Sequence, residues 1–384
     1  MKKKELTNYL VYSFLPLASH LGNIPYASKL MQKCYYLLSN GPKSVKIHIN
    51  NECNFNCIYC YSTNNKIDSL KTEDWLNVLD KLSKFNVQTI EVSGGEPTLN
   101  KDLHKILKKC EEKNFRVTIY TNGSKITKDF IKKIKSLKIQ VIISIKYSFK
   151  NDYKKLTRSK FDIDNIEKNM NLLAKNNIPV AAFITVTSSN ISKLSSIINK
   201  SIKLGGFPII ERYMPLKDNN INKSLCITRK DWDSALRMIA KVYENYKTLI
   251  SGVNNIQGST CSCFRTHFTI MQNGDILPCQ FMPLDFKIGN IKTERIEEIW
   301  GKFSKHRKKW IKKPSECKKC KNIDICGGGC RTHAYYKEKN FLSKDPLCTL
   351  NLPTTYGHCA FTVIHSMKKN VNNNKLNNLK KDLT

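Results

Sequence analysis

Short apolar runs alternate with longer amphipathic segments over the first half of the chain. Six runs rich in β-branched residues have the length of strands: Val45–Ile49, Thr89–Val92, Arg116–Tyr120, Gln140–Ile145, Val180–Val186 and Pro208–Tyr213. Between them, apolar residues recur every three or four positions and predict helices over Thr72–Phe85, Leu103–Lys113, Lys128–Leu137, Asp164–Asn176 and Ser192–Leu204. Thr72 is the expected N-cap of the first helix. A strand-then-helix repeat of this kind predicts a parallel sheet covered by helices, with ligand-binding residues on the loops after the strands.

The loop after the first predicted strand carries three thiols, Cys53, Cys57 and Cys60, within eight residues. Thiolates suit iron, and three of them on one loop can hold three irons of a cubane iron–sulfur cluster. The fourth iron would then lack a protein ligand and could bind a substrate or cofactor. The alternative is half of a zinc site, which usually uses paired C-x2-C units and four ligands.

The C-x3-C-x2-C spacing, with Tyr59 before the last cysteine, resembles the signature of the radical S-adenosylmethionine (radical SAM) enzymes. The resemblance implies a [4Fe–4S] cluster on Cys53, Cys57 and Cys60 whose open iron chelates SAM, with Tyr59 near the adenine. It also implies an α/β fold, the open (β/α)6 partial TIM barrel. The strand and helix pattern described above agrees with this expectation.

Further segments resemble the SAM pocket of the same family. Ser93-Gly94-Gly95-Glu96-Pro97 resembles the GGEP motif, which receives the amino group of SAM, and Arg158 stands where relatives carry an arginine that can pair with the SAM carboxylate. Lys146 departs from the Ser-x-Asp pattern of many relatives. Without the resemblance, Gly-Gly-Glu-Pro and Asn122-Gly123 are ordinary turn sequences. The residues expected to line the pocket are Tyr59, Gly94, Gly95, Glu96, Pro97, Thr121, Asn122, Ser144 and Arg158.

The last third of the chain carries a second group of cysteines. The run Cys326-Gly-Gly-Gly-Cys330-Arg331, followed later by Asp345-Pro346-Leu347-Cys348, closely resembles a SPASM domain, which binds auxiliary iron–sulfur clusters. The resemblance implies one [4Fe–4S] cluster on Cys317, Cys320, Cys326 and Cys348. It implies a second on Cys263, Cys279 and Cys330, with Cys261 as the fourth ligand. Relatives separate the first two cysteines by several residues, whereas only Ser262 lies between Cys261 and Cys263.

The remaining pattern sets the domain boundaries. We expect an N-terminal helical extension over 1–44, the radical SAM core over 45–215, a bridging segment over 216–258, a small α+β SPASM domain over 259–350, and a tail over 351–384 whose end is disordered. The bridge contains a predicted helix over Asp231–Tyr246. Within the SPASM region, His267–Met271 and Asp275–Leu277 predict a hairpin turned at Asn273-Gly274, and Ile296–Trp310 predicts a helix. Four cysteines are interpreted as isolated thiols: Cys34, Cys110, Cys226 and Cys359.

Composition adds little about partners but something about compartment. The 384 residues contain 65 Lys and Arg against 31 Asp and Glu, a formal net charge of +34. No basic run is interleaved with stacking aromatic residues, so a nucleic-acid partner is disfavoured. Fifteen clustered cysteines in a chain of this length indicate metal ligands and not a disulfide framework. The apolar run over 10–18 is too short to span a bilayer, so we expect a cytoplasmic protein without membrane contact.

The resemblance also implies the chemistry. We expect reductive cleavage of SAM to a 5′-deoxyadenosyl radical, which abstracts hydrogen from a substrate, with electrons from a donor such as flavodoxin or ferredoxin. SPASM relatives mostly cross-link, epimerise or oxidise peptides and proteins, so such a substrate is the main expectation. A haem-precursor tetrapyrrole or another small molecule is the alternative. A non-catalytic iron–sulfur protein or a zinc-binding protein would need neither the GGEP segment nor a three-thiol loop. No acid or base residue is identified.

Overall fold

The structure is a computed structural model, and it describes residues 41–61, 68–85, 87–145, 150–216, 220–245, 263–320, 323 and 327–348. Most of the predicted N-terminal extension and all of the predicted C-terminal tail lie outside these ranges. So do the positions of five residues with individual predictions: Cys34, Lys146, Cys261, Cys326 and Cys359.

The strands form one nine-stranded sheet in the order β6-β5-β4-β3-β2-β1-β7-β8-β9. They are β1 Ser44–His48, β2 Thr89–Ser93, β3 Arg116–Thr121, β4 Ile139–Ser144, β5 Val180–Val186, β6 Phe207–Arg212, β7 His267–Ile270, β8 Asp275–Leu277 and β9 Gly289–Asn290. Strands β1 to β6 pair in parallel, each with the next in sequence. Because the order begins at β6 and ends at β9, the sheet is open, and the predicted partial barrel is confirmed.

The helices are α1 Thr72–Lys84, α2 Leu103–Glu112, α3 Lys128–Ile134, α4 Lys150–Thr157, α5 Ile163–Lys175, α6 Leu194–Lys203, α7 Asn220–Leu225, α8 Arg229–Asn245, α9 Ile296–Trp310 and α10 Arg331–Glu338. All of the helices predicted between the first six strands form, with boundaries shifted by a few residues. Lys71, and not Thr72, is the N-cap of α1. The Thr72 hydroxyl instead donates to Asp102 Oδ2 at 2.8 Å.

Alternate residues of each strand face opposite sides of the sheet. In β1, Val45 and Ile47 are fully buried and belong to the hydrophobic core, which also contains Trp75 and Leu79 of α1. The intervening residue, Lys46, faces the other side, which lines the lumen of the partial barrel. The helices therefore cover an apolar face, and the lumen receives the polar residues.

The SPASM region joins the same sheet. The predicted hairpin forms from β7 and β8, and β7 pairs in parallel with β1, with Ser44 opposite His267. Aromatic residues of α9 pack behind the hairpin: Phe303 lies 6.2 Å from Phe268 and stacks on Trp300 at 4.9 Å between ring centroids. The second cysteine group is thereby held next to the first strand of the barrel.

The described part of the predicted bridge belongs to the outer helical layer. Helix α8 packs against α6, and its residues Trp232, Leu236 and Ile239 are buried. None of the helices in the described ranges combines the length and apolar composition that crossing a bilayer requires.

Candidate active site

The loop with the three thiols follows β1, and backbone hydrogen bonds tie it to the loop after β2. Gly95 N donates to Asn50 O at 3.0 Å, and Glu96 N donates to Glu52 O at 2.7 Å. The two glycines permit this close approach: a Cβ on Gly94 would lie 2.5 Å from Asn50 Oδ1. The cysteine loop and the GGEP segment are therefore one packed unit.

The last turn of α4 holds the cysteine loop from the other side. Asn56 N donates to Thr157 O at 3.0 Å, and Ile58 N donates to Leu156 O at 2.9 Å. Carbonyl groups at a helix C-terminus have no partner within the helix, so they are free to accept these bonds. The ring of Phe55 also packs edge-on against Tyr153 of α4, at 6.2 Å between centroids.

The thiols of this loop lie close enough to influence one another. Cys53 and Cys57 are half-buried and Cys60 is exposed. Burial raises the pKa of Cys53 to about 11; the Phe55 N–H, 3.4 Å from Cys53 Sγ, lowers it, and negative charge on Glu96 and the other two cysteines raises it further. Because a thiol must lose its proton to bind iron, such a site binds protons until metal displaces them. Three thiols on one loop, with no fourth, fit a cluster with one open iron.

Glu96 joins the loops after β2 and β3. Its side chain is buried, and Oε1 accepts from Thr98 N at 3.0 Å, from Thr98 Oγ1 at 2.5 Å and from Thr121 Oγ1 at 2.6 Å, while Oε2 accepts from Asn122 N at 2.7 Å. Burial raises the pKa of the Glu96 carboxyl, although these donors lower it. The carboxylate thus orients the pocket loops, and its acceptor capacity is used within the protein.

Asn122 completes the connection back to the cysteine loop. Its Nδ2 donates to Asn54 Oδ1 at 2.8 Å, and Asn54 Nδ2 donates to Ser124 Oγ at 2.8 Å. The structure therefore brings together the three segments after β1, β2 and β3 that the sequence singled out.

The other predicted pocket residues lie around this unit. Ser144 is the last residue of β4, and Pro97 begins a short 3-10 turn after Glu96. Arg158 is exposed and left-handed, with φ of 47°, directly after the α4 carbonyls that hold the cysteine loop. Tyr59 lies 6.4 Å from Tyr213, the residue after β6.

Three cysteines of the second group line a single cavity: Cys263, Cys279 and Cys330. A hydrogen bond from the Cys263 thiol lowers the pKa of Cys279 to about 7, although burial raises it. Cys330 is the N-cap of α10, and its Sγ accepts from His333 N at 3.4 Å and lies 3.6 Å from Met214 Sδ. Three of the four ligands expected for one auxiliary cluster thus converge.

The other described cysteines of the second group, Cys317, Cys320 and Cys348, are also neighbours. Burial raises the pKa of Cys317, and negative charge on Cys348 and Cys320 raises it further, although Lys344 lowers it. Cys320 N donates to Cys317 O at 3.0 Å. Within the described ranges, no three His, Cys, Asp or Glu side chains are grouped so that they could hold a single metal ion. A cubane instead spreads its thiolates over several irons.

Tyr61 connects the two cysteine regions. It follows Cys60, and its hydroxyl donates to Gln280 Oε1 at 3.2 Å. Its ring packs edge-on against Phe281 at 4.8 Å between centroids. Because Gln280 and Phe281 follow Cys279 directly, the first cysteine loop and the cavity of the second group are adjacent.

Two protein-family models match parts of the chain that contain cysteines of the first loop and of the second group. The model of the Radical SAM superfamily matches residues 47–195, and the model of SPASM, an iron-sulfur cluster-binding domain, matches residues 261–321. The chain belongs to the radical SAM superfamily. It is an enzyme of this class, with a SAM-binding [4Fe–4S] cluster and, in its SPASM domain, auxiliary clusters.

The proteins to which this chain is similar carry the names of different activities. Fe-coproporphyrin III synthase of Methanosarcina barkeri is 23% identical over 347 residues, covering 78% of this chain and 85% of that protein. PqqA peptide cyclase of Bradyrhizobium diazoefficiens is 24% identical over 345 residues, covering 81% of this chain and 87% of that protein. The solved structure of native anSMEcpe with bound AdoMet and Cp18Cys peptide matches with a TM-score of 0.68 and 20% identity, over 88% of this chain and 99% of that one. This likeness shows a shared fold.

The lumen of this radical SAM protein contains charged residues that the sequence analysis did not single out. Lys46 Nζ lies 3.1 Å from Glu91 Oε2 and 3.9 Å from the ring centroid of Tyr120. Burial lowers the pKa of Lys46, but the charges of Glu91, Tyr61 and Cys263 and the hydrogen bond to Glu91 together outweigh it and raise the pKa above its ordinary value. A charged residue in the middle of an apolar strand is the sequence signal that could have identified this pair.

Glu211 is a second lumen residue of this kind. It lies opposite Thr185 in the pairing of β5 and β6, and its side chain is exposed to the lumen. The walls of the barrel still enclose it: burial raises the pKa of its carboxyl, whereas Arg212 and Lys46 lower it. The lumen therefore presents a carboxyl group to whatever enters it.

We expect Gly95→Ala to weaken SAM binding by about tenfold or more, which is ~1.4 kcal/mol. A Cβ on Gly95 would lie 2.2 Å from Glu52 O, a backbone atom of the cysteine loop, so the two loops must separate. Equilibrium binding of SAM to the iron-reconstituted protein measures the effect. The matched control is Gly301→Ala in α9, where a Cβ meets nothing within 4 Å and should raise helix stability by about 1 kcal/mol. Unchanged SAM affinity in Gly95→Ala would contradict the assigned packing.

Proposed function

We propose that this chain is a radical SAM/SPASM maturase that modifies a peptide or protein. In this proposal Cys53, Cys57 and Cys60 hold the SAM-binding cluster. The pocket residues are the ones expected from the sequence: Tyr59, Gly94, Gly95, Glu96, Pro97, Thr121, Asn122, Ser144 and Arg158. When bound, cluster and SAM supply a 5′-deoxyadenosyl radical that takes a hydrogen atom from the substrate. The hydrogen bonds among the loops after β1, β2 and β3 support the assignment, because they hold the proposed ligands and pocket as one unit.

We further propose that the SPASM domain, over 259–350, holds two auxiliary clusters. Cys263, Cys279 and Cys330, with Cys261, would bind the first. The second would be bound by Cys317, Cys320, Cys326 and Cys348. The shared cavity of the first set and the mutual influence of Cys317, Cys320 and Cys348 support these sets.

The charged residues of the lumen favour a peptide substrate over a haem precursor. Two cations influence Glu211, and each is already in an ion pair: Lys46 with Glu91, and Arg212 with Asp345. A haem precursor carries several propionate groups, which need cations to replace the water they lose. Glu211 supplies no cation for them. It suits the N–H groups or a cationic side chain of a peptide, and PqqA peptide cyclase and the peptide-bound anSMEcpe structure carry names of this class.

The chain's own residues would then hold the substrate between the two cysteine regions. The charge of Lys46 acts on Glu211, on Tyr61 and on Cys279, so a substrate near Glu211 would lie close to both cysteine regions. The covering helices and the SPASM hairpin limit access of water. We propose a cross-link, an epimerisation or an oxidation as the net reaction, in the cytoplasm, with flavodoxin or ferredoxin as the electron donor.

The test uses anaerobically purified protein with reconstituted iron and sulfide. We expect 5′-deoxyadenosine after addition of dithionite and SAM. With the short peptides encoded beside its gene, we expect a product lighter by two hydrogens or carrying solvent deuterium at an inverted centre, detected by mass spectrometry. Fe-coproporphyrin III serves as the tetrapyrrole probe. Turnover of this probe, with no change in any peptide, would reject the peptide proposal in favour of the tetrapyrrole alternative.

A further inference from the structure

A buried ion pair joins the end of the barrel to the SPASM domain. Arg212, the last residue of β6, places Nη2 2.5 Å from Oδ2 of Asp345. The two side chains are 8% and 0% exposed. A charge pair removed from water in this way is stabilising only when further hydrogen bonds satisfy its remaining atoms. The other hydrogen-bond partners of Arg212 and Asp345 therefore indicate which part of the structure the pair stabilises.

Two of the additional partners of Asp345 belong to proposed cysteine ligands, and His333 Nδ1 lies 3.5 Å from its Oδ1. Oδ2 also accepts from Cys330 N at 2.7 Å, and Oδ1 accepts from Leu347 N at 3.0 Å. The Asp345 carbonyl accepts from Cys348 N at 3.0 Å. One aspartate thus positions the backbone of a proposed ligand of each auxiliary cluster.

The glycine run before Cys330 is shaped to this aspartate. Gly329 has φ of 80°, and a Cβ there would lie 2.4 Å from Asp345 Cβ and 2.5 Å from its Oδ2. A left-handed glycine without a side chain is what allows the chain to turn over the carboxylate. The ion pair and the loop that carries Cys330 therefore form one unit.

Arg212 places a cation beside this unit. Burial lowers the pKa of its guanidinium, but the negative charges of Asp345 and Cys330 outweigh this and raise it, so that Arg212 remains charged. Its Nη1 is buried, and no acceptor for it exists among the described residues. A thiolate-bound cluster at Cys330 would offer an acceptor of the opposite charge.

We propose that the Arg212–Asp345 pair tunes the reduction potential of the auxiliary cluster bound by Cys263, Cys279 and Cys330, and that it anchors Cys330 to β6. The inference rests on the proposed function, since it assumes a cluster on these cysteines. Reduction adds one negative charge to a cluster, and its potential depends on net charge and on hydrogen bonds to the sulfurs. A fixed cation therefore favours the reduced form, and a fixed anion disfavours it.

The experiment is a redox titration followed by electron paramagnetic resonance. It uses the full chain in which Cys53, Cys57 and Cys60 are alanine, so that only auxiliary clusters contribute. We expect Arg212→Gln to lower the midpoint potential of one cluster by about 59 mV. This shift corresponds to a tenfold change in the equilibrium constant for one-electron reduction. We expect Asp345→Asn to raise the same midpoint. Arg212→Lys, which retains the charge, should move it less than Arg212→Gln.

The midpoint shifts expected for Arg212→Gln and Asp345→Asn have opposite signs. Loss of structure alone would not produce such a pair of shifts. The matched control is the Glu167–Lys200 pair, at 2.6 Å between α5 and α6, since Lys200→Gln and Glu167→Gln remove the same charges on helices that carry no cysteine. Neither should move a midpoint. Shifts of the same sign in Arg212→Gln and Asp345→Asn, or none in either, would overturn the inference. If Arg212→Gln does not fold, an unchanged or lowered midpoint in Asp345→Asn overturns it alone. A parent protein without any auxiliary cluster would instead reject the cluster assignment in the proposed function.

Discussion

Replacing Cys53, Cys57 and Cys60 together with alanine will abolish formation of 5′-deoxyadenosine and leave the auxiliary clusters bound. The three thiols lie on one loop after β1, and the proposed auxiliary ligands lie on separate segments from Cys263 onward. Loss of the first set removes every proposed ligand of the SAM-binding cluster and no proposed ligand of the auxiliary clusters. Quantification of 5′-deoxyadenosine by mass spectrometry, together with iron and sulfide content, measures both halves of the prediction.

Cys110→Ala is the control for this triple variant. Cys110 is a buried cysteine of α2 and lies outside both cysteine groups. The control should retain SAM cleavage and full iron content, because Cys110 is not among the proposed ligands. Cleavage in the triple variant, or loss of all iron from it, would show that the ligands had been assigned to the wrong loop.

The repeat of the barrel could be predicted because each unit carries its own signal. Strand and helix periods are local, so β1 to β6 and the helices between them follow from the chain alone. Helix α4 was missed because its sequence is mostly polar, with Tyr153 and Leu156 as its buried apolar residues. It nevertheless holds the cysteine loop through backbone carbonyls, and backbone acceptors leave no trace in side-chain pattern.

The long-range pairings were not predictable for a related reason. The hairpin of β7 and β8 follows from Asn273-Gly274, but its pairing with β1 depends on a partner more than two hundred residues away in the chain. The Arg212–Asp345 pair is separated by 133 residues, and neither residue belongs to a motif. The two cysteine groups could be recognised in the sequence because their spacing is local and their chemistry specific. The charges that surround them could not.

The structure gives Glu96, a residue that the sequence singles out, a further role. The sequence predicts an acceptor for the amino group of SAM, whereas the structure shows its carboxylate bonded to Thr98, Thr121 and Asn122. Its backbone carbonyl accepts from Asn50 Nδ2 at 2.9 Å. The residue acts on the pocket by holding its loops in place.

Glu96→Ala should therefore destabilise the protein by about 3 kcal/mol, because each buried donor left without an acceptor costs about 1–3 kcal/mol. SAM binding should weaken at the same time, since the loops after β2 and β3 lose their common acceptor. Denaturant unfolding under anaerobic conditions measures the first effect and equilibrium binding the second. Glu52→Gln is the matched control: it removes the same charge from an exposed residue and should change stability by no more than about 0.5 kcal/mol.

The pH dependence of the same residue provides an independent measurement. Burial raises the pKa of Glu96, so the folded state binds its proton more tightly than the unfolded state does. The contribution of Glu96 to the free energy of unfolding must then decrease as pH rises from the ordinary glutamate value to the raised one. Glu96→Gln cannot ionise, and the difference in stability between the parent protein and this variant should fall across that window. A difference that stays constant with pH, or that rises, would mean that the four donors outweigh burial and that the carboxylate is held charged.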